Sequence, residues 1–414
     1  MKQTIHNLST VFCCVAILLC LSLIGRADHG DPDPTFGHIG VKIDHVSGKT
    51  MFPRAIVQQA DGKLLVAGTM TGNGYPFPML LLRRYNTNGS VDTGFGLSGF
   101  GVEELNNQAW YIYGETNKVA LQSDGRIIVA GGSYDFSSTR IKPTIFRFTP
   151  YGDLDASFGD HGRVIFDDGG EGVTTSGLAI FKEKILTLLW SQSGYNLIRL
   201  NSNGSVDSAF GLSGYSGVGI SPVTFTTNRA TGKIIVGGSF GNTPFLTVPA
   251  LQHFNINGTP DTAHGNDGIA LLPVAPGCAG YFANGVRSID TQADGKIITG
   301  CSCGSPGFGP YNTVARILSD DTLDTSFGNG GYAQEFDYAS DIPSIVRVSR
   351  STTQITTAGH PGTSGLKRYS GGGVFQLSYS ATGIADFLIQ AADEKPVTIK
   401  PINNGDIQLR RFLP

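Results

Sequence analysis

The stretch "NTNGSVDTGFG", Asn86–Gly96, returns almost unchanged as "NSNGSVDSAFG" at Asn201–Gly211. Weaker copies are "TPYGDLDASFG" from Thr149, "NINGTPDTAHG" from Asn255, "LSDDTLDTSFG" from Leu318 and a shortened "DPTFG" from Asp33. The Asp of each copy falls at Asp33, Asp92, Asp155, Asp207, Asp261 and Asp324, and a degraded copy places it at Asp386. Repetition every 50–60 residues or so indicates a solenoid, a propeller or an array of repeats.

The repeated motif, which we call the corner, has a chemistry suited to a turn. We expect its Asp side chain to accept hydrogen bonds from backbone N–H groups two or three residues further on. The Phe three residues after the Asp is predicted to be an apolar anchor, whose burial stabilises the fold by roughly 2–3 kcal/mol. The following Gly permits a positive φ. The corner is therefore predicted to link one sheet to the next.

A second motif lies midway between successive corners. It reads "VQQADGKLLVAG" from Val57, "ALQSDGRIIVAG" from Ala120, "TTNRATGKIIVGG" from Thr226 and "DTQADGKIITGC" from Asp290. The central Asp-Gly or Thr-Gly pair suits a two-residue type I′ hairpin, which needs positive φ at both positions. The unit from Asp155 lacks this turn and has "IFKEKILTLLW" from Ile180 instead. Alternating polar and apolar residues before each corner predict a further strand with one buried face.

Each interval therefore holds about four short strands, as expected for one blade of a propeller. Six full units run from Asp33 to Asp386, and the residues after Asp386 still contain three predicted strands. We predict an all-β fold, a β-propeller of seven blades with an incomplete last blade, which occupies residues 28–414 as a single domain. Six blades closed by the C-terminal strands are the alternative.

The strings "LLLRRYNTNGSVDTGFG" and "VQQADGKLLVAG" together resemble the delta-60 repeat family of bacterial exported and surface proteins. The resemblance covers nearly all of the chain from Asp33 to Asp386. It implies a β-propeller fold and export from the cell, and it carries no catalytic motif that could be transferred to this sequence. The sequence departs from the pattern where His264 replaces the anchor Phe and where Cys301 replaces the Gly that ends a strand.

The first 27 residues differ from the rest and resemble a signal peptide. An apolar run, Val11–Ile24, follows Lys2, and Gly25 and Ala27 supply the small residues that a signal peptidase accepts. We expect cleavage after Ala27 and a secreted, periplasmic or cell-surface location, with no integral membrane segment in the mature chain. The formal net charge of −3 and the lack of a basic stripe argue against nucleic acid as a partner.

Three cysteines follow the predicted cleavage site, and an oxidising compartment favours a disulfide between Cys278 and either Cys301 or Cys303. The histidines are scattered along the sequence, so no metal site and no cofactor are predicted, and His264 is interpreted as a ring packed in place of Phe. Calcium is the one alternative, because the acidic stretches "DHGDPDP", "FDDGGEG" and "SDDTLD" offer carboxylate ligands.

Exposed aromatic residues are the best functional hint in the sequence. Trp110, Tyr111 and Tyr113 cluster in "AWYIYG", and Phe308 and Tyr311 belong to "GSPGFGPYN", a predicted loop rich in Gly and Pro. Aromatic rings on one rim of a propeller would suit a carbohydrate or a peptide. We predict a binding or interaction module that presents loops around a central channel to a protein or carbohydrate ligand. An exported hydrolase or lyase with its site at one mouth of the channel is the alternative, and no catalytic residue is predicted.

Overall fold

The computed structural model describes most of the chain after the predicted signal peptide. The described ranges are 30–72, 75–101, 110–112, 118–135, 140–167, 174–191, 194–241, 247–274, 285–305, 308–335, 345–359, 365–379, 383–402 and 405–414. The predicted signal peptide of residues 1–27 lies outside them. No helix occurs among these residues, and hence none that is long and apolar enough to span a membrane.

Twenty-eight strands lie in the described ranges and form seven antiparallel sheets. The strands of the first four blades are β2 Lys49–Gln58, β3 Leu64–Gly72 and β4 Tyr75–Tyr85; β5 Trp110–Ile112, β6 Lys118–Leu121, β7 Ile127–Asp135, β8 Arg140–Phe148 and β9 Arg163–Ile165; β10 Thr174–Phe181, β11 Lys184–Ser191, β12 Gly194–Leu200 and β13 Tyr215–Val218; and β14 Ser221–Thr227, β15 Ile234–Phe240, β16 Val248–Phe254 and β17 Ile269–Leu271. The remaining blades consist of β18 Gly285–Thr291, β19 Ile297–Ser305, β20 Phe308–Ile317 and β21 Tyr332–Glu335; β22 Ile345–Val348, β23 Ile355–Ala358, β24 Leu366–Tyr369 and β25 Phe375–Tyr379; and β26 Asp386–Ile389, β27 Pro396–Ile402 and β28 Asp406–Arg411, joined by β1 Val41–Asp44.

The seven sheets close into a ring, which confirms the predicted seven-bladed propeller. The first strand of each blade contacts the first strands of both neighbouring blades, and this chain of contacts returns from β26 to β2. The last blade is completed by β1, which pairs antiparallel with β28 and brings Val41 opposite Arg410. The two ends of the chain therefore share one sheet, and the alternative of six blades is wrong.

The core lies between the blades. Seven clusters of buried apolar side chains are present, one at each joint between neighbouring sheets. In the joint between the first and second blades, for example, Leu65 and Leu82 pack against Val129 and Phe146. Burial of apolar surface on both faces of each sheet explains why the second and third strands are almost continuously apolar.

The corners lie within blades and not between them, contrary to the expectation from the sequence. The corners of Asp155, Asp207, Asp261 and Asp324 each join the third strand of a blade to its own fourth strand, as between β12 and β13, and the Asp33 corner precedes β1, the fourth strand of the last blade. The corner links adjacent sheets only through space. The amide of its final Gly donates to a carbonyl in the corner of the next blade, as Gly96 donates to Tyr151 and Gly211 donates to Asn257.

The chemistry predicted for the corner is confirmed. The Asp carboxylate accepts a hydrogen bond from the backbone N–H two residues further on, as Asp155 accepts from Ser157 at 3.1 Å and Asp324 from Ser326 at 3.1 Å. The anchor residues are fully buried: Phe36, Phe95, Phe158, Phe210 and Phe327. The degraded copy behaves differently, because Asp386 begins the first strand of the last blade and makes no corner.

The turn types of the hairpins between first and second strands are the opposite of those predicted from the sequence. In the Asp-Gly hairpin only the glycine has a positive φ, 84° at Gly62, so the turn is not type I′. The unit that lacks Asp-Gly has the type I′ geometry instead. Lys182 and Glu183, with φ of 47° and 63°, directly connect paired Phe181 and Lys184. Sequence alone missed this turn because neither residue favours a positive φ.

The two faces of the ring differ in their turns. The hairpins between first and second strands lie on the same face as the corners, because Lys63 and Arg126 reach from the hairpins to Asp92 and Asp155. We call this the turn face. The opposite face carries the connections from second to third strands and from each blade to the next, and we call it the loop face.

Candidate functional site

A belt of repeated side chains runs around the turn face. In four corners, which we call regular, the Asp pairs with an Arg eight residues earlier, on the third strand: Asp92, Asp155, Asp207 and Asp324. Arg84 Nε lies 2.8 Å from Asp92, and Arg316 Nε lies 2.8 Å from Asp324. The same guanidinium lies over the anchor ring, with Arg316 Cζ 4.9 Å from the centroid of Phe327. Serine, backbone and arginine hydrogen bonds lower the pKa of Asp324 to about 2, against the opposing effect of burial.

The turn glycine of the next corner covers each anchor ring. A β-carbon on Gly152 would lie 3.0 Å from the ring of Phe95, and one on Gly258 would lie 2.8 Å from the ring of Phe210. Both glycines have a positive φ. The regular joint therefore consists of a guanidinium, an aromatic ring and a glycine from the adjacent blade, packed in that order.

One joint, between the fourth and fifth blades, breaks this rule at all three positions. His253 of β16 replaces the arginine, His264 replaces the anchor phenylalanine, and Asp321 replaces the turn glycine of the next corner. Their rings and carboxylate meet: the two imidazoles stack with centroids 3.9 Å apart and an angle of 9° between their planes. His264 Nδ1 lies 2.7 Å and His253 Nε2 lies 2.9 Å from the Asp321 carboxylate oxygens.

The environment of this cluster is secluded and charged. Burial by itself would raise the pKa of Asp321, but contacts with His253 and His264 outweigh burial and hold that pKa below its ordinary value. Asp321 adopts a φ of 66°, which a glycine would tolerate without strain. Within the described ranges, His253, His264 and Asp321 form a group able to hold a metal ion, with their ligand atoms within 4.8 Å of one another.

Sequence reasoning did not bring these three residues together. It interpreted His264 as a packed replacement for Phe and considered the acidic stretch that contains Asp320 and Asp321 only as a source of calcium ligands. An alignment of the repeats with one another would have identified all three residues as departures from the pattern. The three residues stand eight before, three after and three before a corner Asp, which are the positions of the regular arginine, phenylalanine and glycine.

The aromatic residues predicted to bind a ligand belong to strands of two different blades. Trp110 and Tyr111 lie on β5, opposite Asp135 and Tyr134, at the loop-face end of the second blade. Phe308 and Tyr311 lie on β20 of the fifth blade, opposite Ser305 and Cys303. Both groups belong to the loop-face half of their blades, three blades apart around the ring. Tyr113 lies outside the described residues.

The cysteine prediction stays a prediction. Cys301, on β19, forms no disulfide with the described residues, and burial raises the pKa of its thiol to about 11. Cys278 lies outside the described residues, and the side chain of Cys303 is not described. At neutral pH the Cys301 thiol is therefore protonated and a poor nucleophile.

Polar side chains from different blades also meet near the central channel. Arg347 of β22 lies 3.2 Å from Asp386 of β26, and Asp386 also accepts a hydrogen bond from the amide of Ile56 in β2 at 3.1 Å. This carboxylate thus ties three neighbouring blades together. Its partners are those of an inter-blade link, because each of its two oxygens is engaged by a neighbouring blade.

Comparison with known proteins supports the fold. Residues 59–95, 122–158 and 190–210 match a family model described as "Domain of unknown function (DUF5122) beta-propeller". No curated protein matches the sequence.

Three solved structures resemble the ring. A catalytically inactive virginiamycin B lyase from Staphylococcus aureus, in complex with quinupristin, shares 12% identity and a TM-score of 0.50, over 90% of this chain and 99% of that one. A lectin from Burkholderia pseudomallei shares 10% identity over 88% and 96% of the chains, with a TM-score of 0.49. An α-L-arabinanase from Penicillium chrysogenum shares 9% identity over 92% and 96%, with a TM-score of 0.44. At these identities the likeness concerns the fold alone, and the chain is a β-propeller built from sequence repeats.

Proposed function

We propose that this chain is an exported propeller of the delta-60 repeat type, which binds a protein or carbohydrate ligand through its loop face. The observation that carries this proposal is the contrast between the two faces. The repeated hairpins and corners all lie on the turn face, where they make the same ion pairs and packing contacts from blade to blade. A surface made of near-identical structural turns serves as scaffold.

The loop face has the opposite character. Its connections differ in length and composition from blade to blade, and loops on a rigid scaffold commonly carry binding residues. Trp110, Tyr111 and Phe308 belong to strand ends at this face. Export follows from the apolar run at Val11–Ile24, interpreted as a signal peptide cleaved after Ala27.

Binding to glycan and peptide arrays tests the proposal, followed by titration of each hit with variants. We expect binding of a glycan or a peptide, weakened about tenfold or more by the double substitution Trp110→Ala and Phe308→Ala, because truncation of a binding aromatic commonly costs more than 1 kcal/mol. The matched control is Tyr151→Ala, since Tyr151 is 72% exposed on the turn face. Circular dichroism of each variant establishes that the fold is intact.

Two outcomes would contradict the proposal. One is loss of binding by Tyr151→Ala together with full binding by the double variant, which would place the ligand on the turn face. The other is turnover of polysaccharide or ester substrates by the same purified protein, which would favour the exported hydrolase or lyase.

A further inference from the structure

The joint between the fourth and fifth blades holds an unusual combination of three replacements. Each one alone would damage the regular packing: an imidazole is smaller than the phenylalanine it replaces, and a carboxylate stands where other joints have no side chain. Together they place two imidazoles and one carboxylate at a single point between two blades. The regular joint needs none of these groups, so their coincidence calls for a chemical explanation.

One contact within the cluster is poorly satisfied as a hydrogen bond. His253 Nε2 and Asp321 Oδ1 are buried and 2.9 Å apart, which is an ion-pair distance, but the geometry of this contact is poor for a hydrogen bond. Buried polar atoms without a partner are rare in folded proteins and often mark an ion or a water. The side chains of His253, His264 and Asp321 are 4%, 14% and 11% exposed, so bulk water does little to satisfy them.

A further carboxylate lies beside one of the imidazoles. Asp261 Oδ2 lies 3.5 Å from His264 Nε2, and Lys233 Nζ lies 2.6 Å from the same oxygen. A proton on Nε2 directed at Asp261 leaves the lone pair of His264 Nδ1 free on the side of Asp321. This carboxylate–histidine arrangement is the one that commonly supports metal-bound histidines.

From this geometry we propose that His253 Nε2, His264 Nδ1 and the Asp321 carboxylate bind a zinc ion, which clamps the fourth blade to the fifth. Two imidazole nitrogens and one carboxylate are a common zinc donor set, with ligand distances of about 2.0–2.2 Å, and a water completes the tetrahedron. The lone pair of an imidazole nitrogen lies in the plane of its ring, so the two stacked rings rotate apart when both nitrogens bind the ion. Calcium does not suit the site, because it prefers six to eight oxygen ligands. The zinc clamp lies on the turn face, away from the proposed ligand-binding face.

Zinc binding to the purified full-length protein tests the site, measured by isothermal titration and by metal content after dialysis. We expect one tightly bound zinc ion per chain and a rise in the thermal midpoint with zinc that a chelator reverses. Cobalt(II) at the same site should give the visible absorption of a tetrahedral ion with nitrogen and oxygen ligands. Asp261→Asn should weaken zinc affinity by about 10–100-fold through the orientation of His264.

A variant that restores the repeat supplies the decisive comparison. The triple substitution His253→Arg, His264→Phe and Asp321→Gly rebuilds the packing found at the regular joints, so it should fold and yet lose the bound zinc. His161→Ala, which removes an exposed histidine of the turn face, should keep it. Equal zinc binding by the triple variant and the parent would overturn the proposal. So would the absence of zinc binding to the folded parent, which would leave a hydrogen-bonded histidine–aspartate cluster.

Discussion

Within one corner, position determines how much a single apolar residue contributes to the free energy of unfolding. Phe210 is fully buried beneath Gly258 and under the guanidinium of Arg199, whereas Leu212, two residues later, is 84% exposed. Phe210→Ala should lower the free energy of unfolding by about 3–5 kcal/mol, from lost transfer energy and the cavity left behind.

Leu212→Ala in the same corner is the matched control and should change the free energy of unfolding by less than about 0.5 kcal/mol. Urea unfolding followed by tryptophan fluorescence measures both variants. Similar losses for the two variants would mean that the anchor does not hold adjacent blades together as its burial indicates.

At the scale of the element, the repeat predicted strands better than turns. Period-two alternation and corner spacing identified four strands per blade, because strand patterning is a local property. Turn type was not predictable for Lys182–Glu183, where pairing of β10 with β11 forces two unfavourable residues into positive φ. The corner contacts between blades were also missed, and with them the meeting of His253, His264 and Asp321, because residues far apart in sequence meet only once the ring closes.

The strained hairpin between β10 and β11 predicts a stabilising substitution. Glu183 has a φ of 63° and is exposed, and an L-residue in this region costs roughly 1–2 kcal/mol relative to glycine. Glu183→Gly should therefore raise the free energy of unfolding by about 0.5–1 kcal/mol, after the greater entropy of glycine in the unfolded chain is subtracted. Glu183→Ala keeps the strain and should not stabilise the protein. An equal gain from alanine would show that the charge of Glu183, and not its backbone, is the unfavourable feature.

At the scale of the whole molecule, stability depends on how the two ends of the chain meet. Asp33, near the first described residue, pairs with Arg411 at 2.8 Å and Lys395 at 2.9 Å, both in the last blade. Asp44 of β1 also accepts two hydrogen bonds from Arg83 of the first blade, at 2.7 and 3.1 Å. These buried ion pairs fasten β1 between the last blade and the first, so the ring closes through side chains as well as through the β1–β28 ladder.

The ion pairs of Asp33 make ring closure sensitive to acid. Burial opposes ionisation of Asp33, but hydrogen bonds from Thr35 and Lys395 and the charge of Arg411 outweigh it and lower the pKa from 3.8 to about 2. A carboxyl whose pKa is lower in the folded state stabilises the fold above the unfolded-state pKa, and this stabilisation is lost as the pH falls from about 4 to about 2.

Asp33→Asn should reduce the free energy of unfolding by about 2 kcal/mol at neutral pH, and the difference from the parent should shrink toward zero near pH 2. Urea unfolding across this pH range measures the effect, with the exposed Asp160→Asn as a variant expected to match the parent throughout. A deficit for Asp33→Asn that stays constant with pH would mean that Asp33 closes the ring through its shape and hydrogen bonds, and not through its charge.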